Sequence, residues 1–463
     1  MSRLIVVSNR VARPDALSKG AQGGLAVGVL AAMAENGGLW FGWNGRIENR
    51  STSEVREERR KNIDFVTVGL RQNEYNNFYR GYANSVLWPL FHQRPDLMNY
   101  RHHYRMGYLG VNRKYVDYLL PYLKKDDVIW IHDYQLIPMA RMLREAGVKS
   151  PIGFFLHTPF PPLDLLRALP DHREVLNEML HYDLLGFHTL TDERDFHESI
   201  RYSLNGDISP SGLIECQGHQ VKTGVYPIGI ETADIPNLVQ SGKLSKEYQQ
   251  LKKELSDRKL LIGVDRLDYS KGIFHRFQAY EQLLKHHGEL HRNIVYMQVA
   301  PTSRGDVQAY GQLAQQIDQA AGHVNGTYAD FDWTPLRYLN RGFRRNTVLA
   351  LYNLSHVGFV TPLRDGMNLV AKEFVAAQDG EDPGVLVLSK MAGAAAELTS
   401  AVIVNPYDTE AVASSLAEAI QMPLDERIDR WQQMMVVLQR NDIHAWQHNF
   451  RADLIARPHK LTP

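Results

Sequence analysis

Two stretches in the second half of the sequence combine residue types suited to binding phosphate. The first, RLDYSKG, runs from Arg266 to Gly272, and its turn can direct the cations of Arg266 and Lys271 at a single anion. Gly272 opens the next predicted helix. By itself this pattern is equally compatible with surface salt bridges to acids such as Asp268.

The second stretch, PLRDGMNLVAKE, places Gly366 just before a predicted helix. The free N–H groups and the positive dipole end of a helix N-terminus suit a diphosphate. Glu373 is expected about two turns along that helix. The predicted helix start favours a phosphate site over surface salt bridges for both stretches.

A glycine cluster, GAQGGLAVGV, spans Gly20 to Val29 and matches neither the dinucleotide-binding nor the Walker pattern. It predicts either a flexible loop or a backbone that approaches a substrate closely. The pair Gly23-Gly24 at a predicted helix start favours the second interpretation.

Three further patterns are better explained by structure than by chemistry. Asp330-Phe331-Asp332 resembles a D-x-D metal motif but has no further ligands nearby, so we expect a turn and no metal site. His102-His103 cannot share one face of a helix or strand, which favours a solvated loop. The aromatic run of Tyr79, Tyr82, Trp88 and Phe91 is typical of core packing.

Polar residues follow five of the predicted strands at the point where each strand ends. In open parallel sheets, ligands bind beyond the carboxyl ends of the strands. A single charged residue there is usually a solvated loop residue, but five such cases predict a ligand site. They are Ser8-Asn9-Arg10, His132-Asp133, His157, Asp265-Arg266 and Arg364-Asp365.

These residues must be positioned by an α/β fold. Short apolar runs rich in Val, Ile and Phe alternate with amphipathic stretches, which predicts parallel strands joined by crossover helices in two doubly wound units. The predicted strands are Leu4–Ser8, Phe65–Leu70, Val128–His132, Ile152–Leu156, Leu184–Phe187, Leu260–Val264, Ile294–Val299, Val357–Thr361, Val385–Leu388 and Val402–Val404.

The turn-rich stretch Tyr226–Gly229 predicts a domain boundary with a cleft beside it. We therefore expect a first domain at 1–228 and a second at 229–440. Residues 441–463 are expected to form a helical tail, because 442–454 read as an amphipathic helix. The sequence does not indicate where that helix docks.

Composition excludes several classes of protein. The 463 residues include 52 basic and 52 acidic side chains, so we expect no nucleic-acid or anionic-membrane partner. Cys216 is the only cysteine, which excludes a disulfide framework and a cysteine zinc cluster. The first apolar run, Leu4–Val7, is too short for a signal peptide, and no run is long enough for a membrane span. A soluble cytoplasmic protein is expected.

With these motifs in place, the sequence from about Arg3 to Phe450 resembles the retaining glycosyltransferase family of trehalose-6-phosphate synthases. The order and spacing of the matching words agree throughout. They are SNR at Ser8, GGLAVG at Gly23, VLWP at Val86, WIHDYQL at Trp130, FFLHTPFP at Phe154, RLDYSKG at Arg266, APTSRGD at Ala300 and LRDGMNLVAKE at Leu363.

The resemblance implies the GT-B architecture, in which two Rossmann-like domains face each other across a cleft. It also implies a nucleotide-sugar site mainly in the second domain. By similarity, Arg266 and Lys271 hold the donor diphosphate, Asp365 the glucose hydroxyls and Glu373 the ribose. The other implied donor residues are Gly24 in a closing loop, Phe343 at the base, and Gly366, Met367, Asn368, Leu369 and Val370 around the phosphates.

The first domain is implied to bind glucose 6-phosphate. The resemblance assigns this acceptor to Arg10, Tyr79, Trp88, Asp133 and Arg304, so the aromatic run acquires a binding role. His157 is implied to contact the transferred glucose, and with Arg266, Lys271 and Asp365 it completes the expected catalytic set. No cofactor or metal is expected, because the cations would stabilise the departing diphosphate.

The implied reaction transfers glucose from a nucleotide-glucose, UDP-glucose being expected, to give α,α-trehalose 6-phosphate in trehalose biosynthesis. GDP-glucose remains open as a donor. A related transferase with another acceptor such as glycerol 3-phosphate, a non-catalytic sugar-phosphate binder and a sugar-nucleotide epimerase are the alternatives. A homo-oligomer is expected, as is a separate phosphatase acting on the product.

Overall fold

The computed structural model describes residues 2–11, 29–30, 33, 37–48, 55–302 and 308–456. Within these ranges the chain divides into two compact α/β units. The first contains the described residues up to Ile228 and those from Ile443 onward, and the second contains Gly229–Asp442. None of the helices in these ranges is long and apolar enough to cross a membrane.

The first unit is built on one sheet that has ten strands within the described residues. In chain order they are β1 (Leu4–Arg10), β2 (Gly38–Glu48), β3 (Val55–Arg60), β4 (Ile63–Arg71), β5 (Val128–His132), β6 (Ile152–Phe155), β7 (Leu184–Phe187), β8 (Asp207–Ile208), β9 (Leu213–Cys216) and β10 (His219–Val225).

The strand order of this sheet is β3-β4-β2-β1-β5-β6-β7-β10-β9-β8. Strands β4 through β10 in that order are parallel, and the edge strands β3, β9 and β8 add antiparallel pairs. Strands β2 to β4 lie on one side of β1, and β5 and the strands that follow it lie on the other side. The sheet therefore has a topological switch point between β1 and β5. Ser8 pairs with His132, which places the carboxyl ends of these two strands side by side.

Helices pack against both faces of the sheet, around fully buried side chains such as Trp40 and Trp130. The α-helices of the first unit, in chain order, are α1 (Gln72–Glu74), α2 (Trp88–Phe91), α3 (His102–Leu119), α4 (Met139–Glu145), α5 (Leu163–Leu166), α6 (His172–Met179) and α7 (Leu190–Leu204), with 3₁₀ turns at Pro95–Leu97, Leu120–Tyr122 and Tyr134–Leu136.

Between α1 and α2 the helix continues as a π-helix, Tyr75–Leu87, which we call the π segment. The backbone N–H of Trp88 still bonds to the carbonyl of Ala83, five residues back. Helix α3 approaches this segment closely, because a Cβ added to Gly107 would lie 2.3 Å from the Cβ of Asn77. Long π-helices are rare, and short ones often mark functional sites.

The second unit has an entirely parallel sheet of six strands in its described part. Its order, β13-β12-β11-β14-β15-β16, is the Rossmann order, with the switch point between β11 and β14. These strands are β11 (Lys259–Val264), β12 (Ile294–Val299), β13 (Leu336–Leu339), β14 (Val357–Val360), β15 (Val385–Ser389) and β16 (Val402–Val404).

Helices cover both faces of this sheet as well. They are α8 (Ile235–Lys243), α9 (Lys246–Leu255), α10 (Ile273–His286), α11 (Gln308–Tyr328), α12 (Arg345–Leu354), α13 (Leu369–Ala376), α14 (Thr409–Gln421) and α15 (Leu424–Arg440), with 3₁₀ turns at Tyr269–Lys271, Gly288–Leu290 and Gly393–Ala396.

The last helix, α16 (Ile443–Ile455), belongs to the first unit. Its Trp446 and Phe450 are buried, and both rings contact the ring of Trp130 on β5. The structure therefore supplies the docking site that the sequence did not indicate.

The structure confirms the predicted fold class of two Rossmann-like α/β units, and every predicted strand is present within a few residues. The pattern missed β2 and β10 in the interior of the first sheet, its edge strands β3, β8 and β9, and β13 in the second sheet. The sequence therefore underestimated the number of strands mainly in the first sheet.

Two local expectations were wrong. His102 and His103 are exposed but form the first turn of α3 rather than a loop. Glu373 lies just over one turn into α13, because that helix begins at Leu369. Asp268 is buried, which counts against the alternative of surface salt bridges for the first stretch. The expected turn at 330–332 is present, with the N–H of Asp330 bonded to the carbonyl of Trp333.

Candidate active site

The loops after β11 and β14 are hydrogen-bonded to each other at the switch point of the second sheet. The N–H groups of Leu363 and Arg364 bond to the carbonyl of Ser270, at 2.7 and 3.3 Å. Gly272 has a φ of +67°, and a Cβ there would lie 2.6 Å from the carbonyl oxygen of Thr361. Glycine is therefore required where the two loops cross.

Lys271 and Asp365 come together at this crossing. The Nζ of Lys271 lies 2.5 Å from Oδ2 of Asp365, and both side chains are largely buried. The side chain of Asn368 donates to the same carboxylate oxygen at 2.9 Å. Lys271 was expected to bind phosphate and Asp365 to bind sugar, and the structure places both groups at one point.

Helix α13 begins directly beside this pair. Asn368 is its N-cap in a left-handed conformation, and the side chain accepts a bond from the N–H of Ala371 at 3.2 Å. That bond occupies one of the four free N–H groups of the first turn. The N–H groups of Leu369 and Val370 precede it in the same positive turn, after the loop residues Gly366 and Met367.

The two remaining donor candidates on these loops differ in exposure. Arg266 follows β11, is exposed, and has no hydrogen bond or ion pair to another described residue. Glu373 is half-buried and accepts two bonds from Arg345, the shorter being 3.0 Å. Burial raises the pKa of the Glu373 carboxyl, and Arg345 opposes that shift.

Phe343 lies apart from these loops. It follows β13, where the guanidinium of Arg341 lies 4.9 Å from the centre of its ring. Both residues line a cavity of about 550 Å³ that also includes Met297 and Leu339, and no described residue of the β11 or β14 loops lines it. The contacts do not join Phe343 to Lys271 and Asp365.

Arg276 of α10 supports the loops from below, and the sequence reading missed it. Its fully buried guanidinium lies 2.7 Å from Oδ2 of Asp265 and donates to the carbonyl of Lys271 at 3.0 Å and to Thr361 Oγ1 at 3.2 Å. Burial raises the pKa of the Asp265 carboxyl, and Arg276 opposes that shift. One side chain thus holds the ends of both strands that flank the switch point.

In the first unit, the strand ends at the switch point carry Arg10 and Asp133. Arg10 lies over the ring of Trp43 at 5.8 Å, and Tyr79 contacts the same ring at 5.5 Å between centres. Trp43 therefore joins two acceptor candidates. It lies on the missed strand β2, although the apolar run Gly38–Trp43 could have indicated that strand.

Asp133 has a positive φ of 78°, which a non-glycine residue seldom adopts and which often marks functional positions. Its Oδ1 accepts a bond from the backbone N–H of His157 at 3.2 Å, so these two candidates are adjacent. Trp88 lies close to the same loop. Its ring contacts the ring of Tyr134, the residue after Asp133, with 5.8 Å between the ring centres.

His157 is paired with a second histidine that the sequence reading did not assign. Its Nε2 lies 3.0 Å from Nδ1 of His132, which is fully buried at the end of β5. Burial lowers the pKa of both imidazoles well below the usual value, and each is lowered further by a neighbouring histidine. Both rings are therefore neutral near neutral pH, and one proton lies between them.

This burial makes a prediction about stability in acid. The unfolded chain binds protons on His132 and His157 below about pH 6.5, whereas the folded chain binds them only at lower pH, so stability should fall as pH decreases through that value. We expect His132→Gln to remove up to about 1.4 kcal/mol per pH unit of that slope. Urea unfolding between about pH 5 and 7.5 measures it. His103→Gln is the control, because His103 is exposed, and equal slopes in all three proteins would contradict the prediction.

Two predicted site residues, Gly24 and Arg304, lie outside the described residues, as does the rest of the glycine cluster up to residue 28. In the part of the chain that the structure describes, no group of three or more His, Cys, Asp or Glu side chains could hold a metal ion.

Comparisons with known proteins agree on one family. The model of glycosyltransferase family 20 matches residues 3–456. Trehalose-6-phosphate synthase of Klebsiella pneumoniae is 49% identical over 454 residues, covering 98% of this chain and 95% of that protein.

Solved structures are equally similar. One is an α,α-trehalose-phosphate synthase (UDP-forming) from Burkholderia xenovorans in complex with glucose-6-phosphate, with a TM-score of 0.95, 47% identity, and coverage of 98% of this chain and 100% of that one. Another, from E. coli and bound with UDP-2-fluoro glucose, has a TM-score of 0.95, 47% identity, and coverage of 99% and 100%.

Proposed function

Because the chain belongs to glycosyltransferase family 20, we propose that it transfers glucose from UDP-glucose to glucose 6-phosphate with retention of configuration. The products are α,α-trehalose 6-phosphate and UDP. The observation that carries the proposal is the convergence of Lys271, Asp365 and the start of α13 at the switch point of the second sheet.

The second unit would bind the donor. The E. coli relative bound with UDP-2-fluoro glucose supports a donor of this chemical class. An ammonium group has three donors, so Lys271 can keep its bond to Asp365 and still bind a phosphate. Arg266 and the N–H groups of Leu369 and Val370 would complete the diphosphate site.

We propose the remaining donor contacts by similarity to the family. Asp365 would bind the glucose hydroxyls, and Glu373 the ribose, where its bond to Arg345 fixes the carboxylate. Phe343 would line the base site, and Gly24 would belong to a loop that closes over the substrate.

The first unit would bind the acceptor, and the Burkholderia relative in complex with glucose-6-phosphate supports that compound as the acceptor. Arg10 and Arg304 supply cations for the phosphate, Tyr79 and Trp88 supply aromatic surface, and Asp133 accepts from the sugar hydroxyls. The arginine Arg10 is already placed over Trp43, against which Tyr79 also packs.

The chemistry needs no protein base in this arrangement. The bond between glucose C1 and the β-phosphate oxygen breaks, C1 bonds to the anomeric hydroxyl oxygen of the acceptor on the same face, and the hydroxyl proton passes to the departing phosphate. Negative charge grows on that phosphate in the transition state, so Arg266, Lys271 and the α13 N-terminus stabilise it most there. Neutral His157 can hydrogen-bond to the transferred glucose.

The test is incubation of the purified protein with UDP-glucose or GDP-glucose, with and without glucose 6-phosphate. We expect nucleoside diphosphate release that requires glucose 6-phosphate, and an α,α-linked phosphodisaccharide by NMR. Turnover with glycerol 3-phosphate instead, donor consumption without acceptor, or binding without turnover would each contradict the proposal.

We further propose a cytoplasmic location, a homo-oligomer and a separate phosphatase for the product.

A further inference from the structure

Asn84 lies in the π segment, between the acceptor candidates Tyr79 and Trp88, and its side chain is buried with 3% exposure. Its Nδ2 donates to the carbonyl oxygen of Tyr79 at 2.7 Å. Its Oδ1 accepts a bond from the hydroxyl of Tyr134 at 2.9 Å. Both ends of the amide are therefore used, and they join the π segment to the loop that follows β5.

The π register sets the angle between Tyr79 and Trp88 around the helix axis. Nine residues separate them, and in an α-helix at 3.6 residues per turn that spacing places two side chains on opposite faces. A helix with i to i+5 bonds has about 4.4 residues per turn, so nine residues make roughly two full turns. Ideal geometry therefore brings the two aromatic side chains to one face in the π register, and an α-helix would separate them.

The bond from Asn84 to Tyr79 spans the same five residues as the π-helical bonds. The Asn84 side chain therefore stabilises the π register, and an alanine at this position would lack the bond. The bond from Tyr134 to Asn84 then relates the segment to the β5 loop, since Tyr134 directly follows Asp133 and its ring contacts Trp88. One amide is thus linked directly to Tyr79, and through Tyr134 to Trp88 and Asp133, without needing to touch the substrate.

We propose that Asn84 is a positioning residue for the acceptor, which holds Tyr79, Trp88 and Asp133 in the arrangement that binds a hexose phosphate. This inference rests on the proposed function. The positioning role of Asn84 can be distinguished from a purely structural role, because a residue that only stabilises the fold would not alter acceptor kinetics selectively.

The experiment compares Asn84→Ala and the isosteric Asn84→Asp with the native protein. Alanine removes both bonds, whereas aspartate keeps the acceptor for Tyr134 and loses the donor to Tyr79. Because a misplacement of about 1 Å can cost up to a hundredfold in rate, we expect kcat/KM for glucose 6-phosphate to fall about ten- to a hundredfold in Asn84→Ala. The fall should come mainly from KM, and calorimetric binding of UDP should stay within about twofold.

The matched control is Ser85→Ala. Ser85 is the next residue, and its hydroxyl makes the same type of bond, to the carbonyl of Arg80 five residues back at 2.7 Å, but on the exposed side. We expect no change in acceptor kinetics from this variant. If Asn84→Ala fails to fold, Asn84→Asp and Tyr134→Phe, which each break one bond, decide the question.

The outcomes separate the two proposals. A native protein that forms no trehalose 6-phosphate overturns the proposed function and this inference with it. An active native protein in which Trp88→Ala raises KM for glucose 6-phosphate but the Asn84 variants do not overturns the inference alone. Equal losses of UDP binding and acceptor binding would also overturn it, because they indicate general destabilisation.

Discussion

Replacing Arg266 with alanine should lower kcat by about two to three powers of ten, the usual scale for removing one donor that stabilises transition-state charge. In the proposed reaction the departing diphosphate gains charge as the glycosidic bond breaks, so the loss should fall on kcat more than on KM. Steady-state kinetics with glucose 6-phosphate as acceptor measure both constants.

The structure makes this variant informative. Arg266 is exposed and has no hydrogen bond or ion pair to another described residue, so alanine should leave the fold intact. Arg266→Lys keeps the charge but loses the planar fork, and we expect an intermediate loss. Lys252→Ala removes an exposed cation from α9 in the same unit and should have no effect. An unchanged kcat in Arg266→Ala would show that Arg266 does not stabilise the departing diphosphate.

Replacing Phe450 with alanine should lower the free energy of unfolding of the first unit by about 3–5 kcal/mol, as expected for truncating a buried phenylalanine. The Phe450 ring is fully buried and stacks on Trp130 at 4.8 Å. Cβ atoms added to Gly153 on β6 or Gly186 on β7 would lie within 2.7 and 2.8 Å of the same ring. The sheet is shaped to receive this side chain, so little can fill the space it leaves.

Urea unfolding followed by tryptophan fluorescence measures this effect, because Trp130 and Trp446 both lie at the contact. Ile455→Ala is the control, since Ile455 is on the same helix but 46% exposed. A small and equal effect of both substitutions would mean that α16 does not contribute to the stability of the first unit.

The local features of the candidate site could be predicted because they depend on near neighbours in sequence. Gly272 begins α10 and Asn368 caps α13 through bonds within a few residues. The polar residues at the ends of β1 and β5 and those after β11 and β14 were recognisable because each follows an apolar run. The central strand β2 was missed, and with it Trp43, which contacts both Arg10 and Tyr79.

The sequence alone therefore determined which residues stand at strand ends and helix starts, since alternation and capping are local properties. Only the tertiary structure decided which ends meet. It placed β11 beside β14 and β1 beside β5, paired Lys271 with Asp365, buried Arg276 beneath both loops, held Asn84 in a π-helix and docked α16 on the first unit. Each of these depends on contacts between residues far apart in the chain or on the competition between two helical registers, which local patterns do not encode.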